Sequence, residues 1–586
     1  MSGPAPDGIE LALFASRFAQ IVDSMANTLF RSARSGVINT AHDFSCCLVD
    51  SREEMIAATR SIPIHVMSGP ELLVRSLREF HPEVRRGDAF LHNSPYHGNS
   101  HAADHTLLVP VLDDGGRHRF TVVAKAHQAD CGNAEPTTYY TEARDVYAEG
   151  ALIFPCVKVQ EDYRDNQDFI RMCELRMRVP EQWRGDYLAL VGSARIGERL
   201  LTELAAETGW DELERQAAAW CDYGERRMEA AIRRMPAGSA TAHTVHDPFP
   251  GAPEGVPIEA TVRVDPEEAR IAVDLRNNPD CLDSGLNLTE ATARTAAMIG
   301  IWTTVGGDVP SNGGAFRRLD VLLREGCCVG IPVHPHSCSV ATTNLATRTA
   351  NTVCRAMAEI GEGMGMADAG LILPPSAAVI SGRDPRHEGA PFVNMLILAG
   401  SGGAGSPHED AWLTTGDVGT LGMLRRDSVE IDELRFPICV ETQRIIPDTE
   451  GAGRFRGTPG TLVEIAAVGC DVVAHWASDG HVNGPLGVRG GGAGGLADQR
   501  LRERDGTERP LPAYGAVTIA DGQTVISVCT GGGGYGPARE RDPGRVAVDV
   551  AEGWVSRERA AEVYGVVVDA DGGVDEARTS ELRRPG

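Results

Sequence analysis

The chain has 586 residues, 42% of them hydrophobic and 24% charged, and carries a formal net charge of -26. That length exceeds one ordinary hydrophobic core, so several structural units are expected. The acidic surplus would repel phosphate backbones and anionic lipid, and no window approaches the roughly 20 uninterrupted apolar residues of a membrane span, which excludes DNA, RNA and membrane partners.

The first residues, MSGPAPDGIE, lack the basic and apolar regions of a secretory leader. The 14 cysteines include the neighbours Cys46/Cys47 and Cys327/Cys328 but no CxxC pair, so neither a disulfide framework nor a zinc knuckle is expected. Both features point to the cytoplasm. Lysine occurs only at Lys125 and Lys158, outside any GxxxxGK[ST] pattern, so the chain has no P-loop for a nucleotide.

In chain order, Phe14, Phe18, Ile21, Val22, Met25 and Leu29 have the spacing of one helix face within 9–33. Asp43 to Asp50, DFSCCLVD, reads as a buried strand, and Arg75 to Glu79 as part of a second helix. Leu107 to Leu112 and Phe120 to Ala126 flank a turn-forming Asp-Asp-Gly-Gly and predict a β-hairpin. Residues 168–235 return to helical periodicity, and the Pro-rich stretch from His246 to Pro257 suggests a linker, with a boundary near 240. Strand-like residues 259–275 and helices near 288–305 and 344–359 follow. From about 396 the chain turns glycine-rich and strand-like. The expected fold is therefore α+β and multi-domain: an N-terminal region (1–240), a mixed middle region (241–395) and a mainly β, glycine-rich region (396–586).

The chemistry concentrates around the hairpin. If Leu112 pairs with Arg119, the antiparallel register places Asp104 opposite His127, with Cβ atoms ~5 Å apart on one face. His101, in a Gly/Asn/Ser loop three residues ahead of Asp104, can curl back onto the same spot. Two imidazoles and a carboxylate converging there suit a divalent first-row metal; the alternative is a set of loop residues bonded only to backbone. His97, His105 and Asp130 are further candidates, with His105 facing away from Asp104 by strand alternation. His334, His336 and Cys338 have zinc-like types without a second ligand pair. The glycine runs Gly531 to Gly536 and Gly451 to Gly457 miss the dinucleotide fingerprint and predict tight turns. Ser68 has no GxSxG elbow.

Across nearly its whole length the chain resembles the hydantoinase B/oxoprolinase family, through DFSCCLVD, SIPIHVMSG, GDAFLHNSPYHGNSHAAD, AKAHQADCGN, EGALIFP, MRVPEQWRGDYLA, SNGGAFR, GAGRFRG, GGGGYGPARERDP and YGVVVD. The resemblance implies metal ligands at Asp43, His101, Asp104 and His127; two nitrogens with two carboxylates suit zinc, manganese or iron, with zinc or manganese expected. It also implies a hydantoinase A-type partner that uses ATP to phosphorylate the substrate, within a hetero-oligomer. The expected reaction is hydrolysis of an activated cyclic amide, with Asp130 orienting the site or moving a proton. The alternatives are a subunit of a biotin-independent ketone carboxylase, or an assembly paralogue without chemistry. Relatives usually read NDPYxGGTH, ERxDFSC and HHADIGG; here Ser94 and Thr40 replace acids and Gln128 a histidine, which bears on the substrate more than on the ligands.

Overall fold

The computed structural model describes residues 8–249, 251–371, 373–400, 402–414 and 418–584, so the start of the chain, read above for a leader, lies outside the described residues. Helix Gly8–Ser32 forms over the expected periodicity, burying Phe18, Ile21, Val22, Met25 and Leu29 on one face. It packs against the long helix Pro180–Thr208, and the two cover one side of a seven-stranded sheet.

Its strands are β1 (Phe44–Asp50), β2 (Met55–Ala58), β3 (Ala89–His92), β4 (Asp104–Leu112), β5 (His118–His127), β6 (Val157–Glu161) and β7 (Arg164–Asp165). In spatial order the sheet runs β2-β1-β5-β4-β3-β6-β7. Every residue of β1 and β4 is buried, which explains their unbroken apolar runs: both faces are covered, so alternation disappears from the sequence. Cys46, Leu48, Val109 and Val122 face the long helices. Cys47, Leu108 and Val123 face the other way, against Leu73, Val74 and Leu77 of helix Pro70–Phe80.

The β4–β5 hairpin holds Asp104 opposite His127, and the pairing continues without a slip to Val111 opposite Phe120. A bulge then sets Leu112 opposite His118 rather than Arg119. The pairing used to set the register is thus absent, yet the register at the open end is the expected one, because the irregularity lies next to the turn.

A second, four-stranded sheet comprises Gly238–His246, Val256–Asp265, Arg270–Asp274 and Leu319–Leu322. The Pro-rich stretch read as a linker joins its first two strands, which pair antiparallel from Gly238 opposite Val264 to His246 opposite Val256. Helix Leu345–Ile360 packs on this sheet and on helix Glu290–Trp302. One apolar cluster runs from Phe18 through Ile258, Ile299 and Val353 to Met395, so the core is continuous across residue 240.

Two further sheets close the molecule. One joins Val379–Asp384 and Ala390–Met395 to Val472–Ala477 and Tyr514–Ile519; the other has five strands between Ile438 and Val528. Ile380, Val463, Trp476, Leu501 and Val525 form the core between them. The region is mainly β, with short helices at Val429–Arg435, Pro543–Ala551, Arg557–Glu562 and Glu576–Leu582.

The glycine runs are not tight turns. Gly531–Gly534 lies among other glycine segments, backbone against backbone: Gly451 N donates to Gly532 O at 2.8 Å, Gly532 N to Thr458 O at 3.0 Å, and Gly534 N to Gly492 O at 3.0 Å. A Cβ on Gly532 would stand 1.9 Å from Gly403 O, and one on Gly457 2.0 Å from Gly532 O. Glycine is required here by proximity rather than by a left-handed φ. All 14 cysteines are free, and no helix among the described residues is long and apolar enough to cross a membrane.

Candidate metal centre

β5 lies between β1 and β4, and the two registers align three residues in one row. Phe44 pairs with Ala126, which brings Asp43 level with His127, itself opposite Asp104. His127 N donates to Asp43 O at 3.0 Å, extending the ladder one residue beyond β1. Strand alternation turns all three side chains to the face shared with Leu108 and Val123.

His101 reaches the row because its loop is pinned by asparagines. Asn99 Nδ2 donates to the carbonyls of His101 and Asp104, at 2.7 and 2.8 Å, while Thr106 holds the Asn99 oxygen. Asn93 grips the loop from outside through Ala102 O at 2.7 Å. With Asp104 N bonded to His101 O, the segment is a tight turn that folds the imidazole back over the aspartate.

His101 Nε2 and His127 Nδ1 each lie 3.0 Å from Asp104 Oδ1 and 3.1 Å from one another. None of the three residues is more than 1% exposed. His101 Nδ1 lies 2.8 Å from Ser339 O, a carbonyl that can only accept, so we assign the proton to Nδ1 and a lone pair to Nε2. His127 Nε2 lies 3.0 Å from the Thr138 hydroxyl, and when it donates there, Nδ1 also presents a lone pair. Three lone-pair atoms then face each other in a dry interior, an arrangement relieved by a cation shared among them, either a proton on an imidazole or a metal ion. Their spacing matches neighbouring corners of an octahedral shell with bonds of about 2.1 Å. Tyr139 stacks on His127 at 5.2 Å and lies tilted against His101 at 5.6 Å, so one ring touches both imidazoles.

The expected ligand set thus divides. His101, Asp104 and His127 form the one group among the described residues whose ligand atoms converge as a metal would need. Asp43 stands beside that group, with Oδ1 3.6 Å from His65 Nε2. His65, which spacing arguments missed, also lies 3.2 Å from Asp104 Oδ2 and so bridges the two carboxylates. It arrives on the short turn Pro63–His65, with Nδ1 3.4 Å from Ser45 Oγ. Its one sequence signal was its place inside SIPIHVMSG. Burial pushes the Asp43 carboxyl up; for Asp104, burial acts the same way but the imidazoles of His101 and His65 outweigh it and hold the carboxyl well below its usual range.

Asp130 faces elsewhere. Its Oδ1 accepts from Gly132 N and Arg178 Nη1, at 3.1 and 3.0 Å, and its Oδ2 from Arg178 N at 2.6 Å. His97 bonds Ser94, the residue at the altered acid position, and packs on Phe80. His105 points to Phe154 on the opposite face, as alternation requires. His334 packs against Tyr96 and Tyr147. Thr40, at the position of the usual glutamate, donates to Asp427 at 2.8 Å.

Fold and cluster together define a layered α+β protein with a buried nitrogen-and-oxygen donor set that could hold a metal ion. The chain belongs to the hydantoinase B/oxoprolinase family, whose pattern matches residues 7–538. Caprolactamase subunit beta of Pseudomonas jessenii is 30% identical to it, over 98% of this chain and 99% of that protein. The crystal structure of the ATP-dependent caprolactamase from Pseudomonas jessenii superposes with a TM-score of 0.87 at 27% identity, covering 99% of this chain and 100% of that one. A nucleotide-free acetone carboxylase gives a TM-score of 0.84 at 19% identity, covering 98% and 82%, a likeness of fold.

Proposed function

We propose that this chain is the metal-bearing subunit of an ATP-dependent enzyme that hydrolyses a cyclic amide activated by phosphorylation on a hydantoinase A-type partner. The observation that carries the reading is the convergence of His101 Nε2, His127 Nδ1 and Asp104 Oδ1 within 3.1 Å of one another. The name of the caprolactamase relative, a subunit beta, supports both the lactam chemistry and the need for a second chain.

A divalent cation held by His101, Asp104, His127 and Asp43 would supply water of lowered pKa and stabilise charge developing on the amide oxygen. Nitrogen and carboxylate donors together suit zinc or manganese. The chain's own residues set up that chemistry. Ser339 and Thr138 fix the two imidazoles with their lone pairs inward. Tyr139 holds the His127 ring by stacking, and His65 steadies both carboxylates. Asp130 acts as a positioning residue: through Arg178 it holds the turn that follows His127. Phosphorylation is assigned to the partner because this sequence carries no P-loop.

The test is metal analysis and ATP-coupled lactam hydrolysis by the purified complex, for wild type and His127→Ala. The variant is expected to lose both bound metal and turnover. Retention of both would reject the site. ATP consumption that requires bicarbonate would reassign the complex to ketone carboxylation, and a metal-free wild type that still assembles with its partner would mark a non-catalytic paralogue.

A further inference from the structure

The two oxygens of Asp104 have different surroundings. Oδ1 faces the imidazoles of His101 and His127. Oδ2 accepts the Ser100 hydroxyl and has His65 Nε2 at 3.2 Å. Ser100 Oγ in turn lies 3.2 Å from Lys125 Nζ. The Asp104 carboxylate can only accept, so the one hydrogen of the Ser100 hydroxyl is aimed at it, and the serine oxygen is left to accept from Lys125. The polarity of the chain from lysine to serine to aspartate is thereby fixed.

Lys125 is 1% exposed, and among the described residues its ammonium nitrogen meets the Ser100 hydroxyl rather than a carboxylate. It stands on β5 two residues before His127, on the same face, opposite Thr106 on β4 and Ser45 on β1. A buried lysine without a carboxylate partner lowers stability, and a residue of no use there would be replaced at little cost by an apolar one. Ser100 is wholly buried as well.

We propose that Lys125 is a positioning residue for the metal centre. Through Ser100 it saturates and orients Asp104 Oδ2, so that Oδ1 stays presented to the two imidazoles. This rests on the metal reading above and adds to it a residue that touches neither metal nor substrate. Charge alone would give Lys125 the opposite effect, since a nearby ammonium repels a divalent ion. The sign of its effect on metal binding therefore separates the two roles.

The experiment titrates the metal-stripped, full-length chain with zinc and with manganese, and follows thermal unfolding of the same metal-free samples. Lys125→Met is expected to bind metal about 10- to 100-fold more weakly than wild type, the usual cost of losing a partner that orients a ligand, while its metal-free melting temperature stays level or rises. Lys125→Arg, which keeps a donor, should recover part of the affinity. Ser100→Ala removes a hydroxyl and no charge, and carries the same expectation should the methionine variant fail to fold; Ser100→Thr should restore binding. Unchanged or tighter metal binding in Lys125→Met and Ser100→Ala overturns the proposal and leaves the metal site standing. A wild-type chain that binds neither ion overturns both.

Discussion

Arg348 and Asp479, each 1% exposed, form the ion pair that joins helix Leu345–Ile360 to the C-terminal sheets, with contacts of 2.7 and 2.9 Å. Burial alone would raise the Asp479 carboxyl, but Arg348 and His246 beside it bring it from 3.8 down to about 2. A folded-state value below the unfolded one stabilises at pH above the unfolded value and is lost as pH falls through the folded value, here between about 4 and about 2, an effect of about 2 kcal/mol. Arg348→Leu leaves a buried carboxylate without its cation and should cost about 3 to 5 kcal/mol. The pH response should also invert: thermal melts of Arg348→Leu near pH 7 and pH 5 should show relative recovery on acidification, as protonation relieves the stranded charge, and a parallel response to wild type would refute the pairing argument. At this scale the sequence disclosed part of the candidate metal centre. Asp104 and His127 were reachable because one hairpin fixes their register. His65 was not, since no local pattern says that a turn near residue 65 folds against a strand beginning at residue 104.

Among the elements, the glycine bundle makes the sharpest forecast. Gly532→Ala forces a Cβ to within 1.9 Å of Gly403 O, so several kcal/mol and much of the soluble yield should be lost. Gly506→Ala, at an exposed turn with φ of 85° and no neighbour near the new carbon, should cost only about 1 kcal/mol. Comparable melting temperatures for the two variants would contradict the close-packed account. The helices, the hairpin and the buried strands were legible because periodicity and apolar runs record burial directly. The bundle was not, because a glycine needed for lack of space and a glycine needed for a turn look alike in sequence; only the facing backbone, drawn from residues 403 to 534, distinguishes them. The bulge before Leu112 was equally invisible, as it alters pairing without altering residue type.

For the whole molecule, metal and partner should both register as stability. Metal saturating at 100 times its dissociation constant contributes about 3 kcal/mol. Chelation should therefore lower the melting temperature of wild type and leave that of His127→Ala unmoved; an equal response in both would count against the site. Expressed alone, the chain should hydrolyse no ATP, and a hydantoinase A-type subunit should co-purify when the two are expressed together. The partition of the chain was the least legible feature at this level, since the apolar core passes residue 240 without interruption and the Pro-rich stretch beyond it is a strand connection. One contact carries that continuity into time. The proton on His101 is fixed by the carbonyl of Ser339, 238 positions downstream. As the ribosome releases the hairpin, that carbonyl has yet to be made, and the imidazole is free to hold either tautomer. A fragment ending before residue 339 would therefore keep the hairpin and its row of side chains while losing the restraint that a distant part of the chain places on one ring nitrogen.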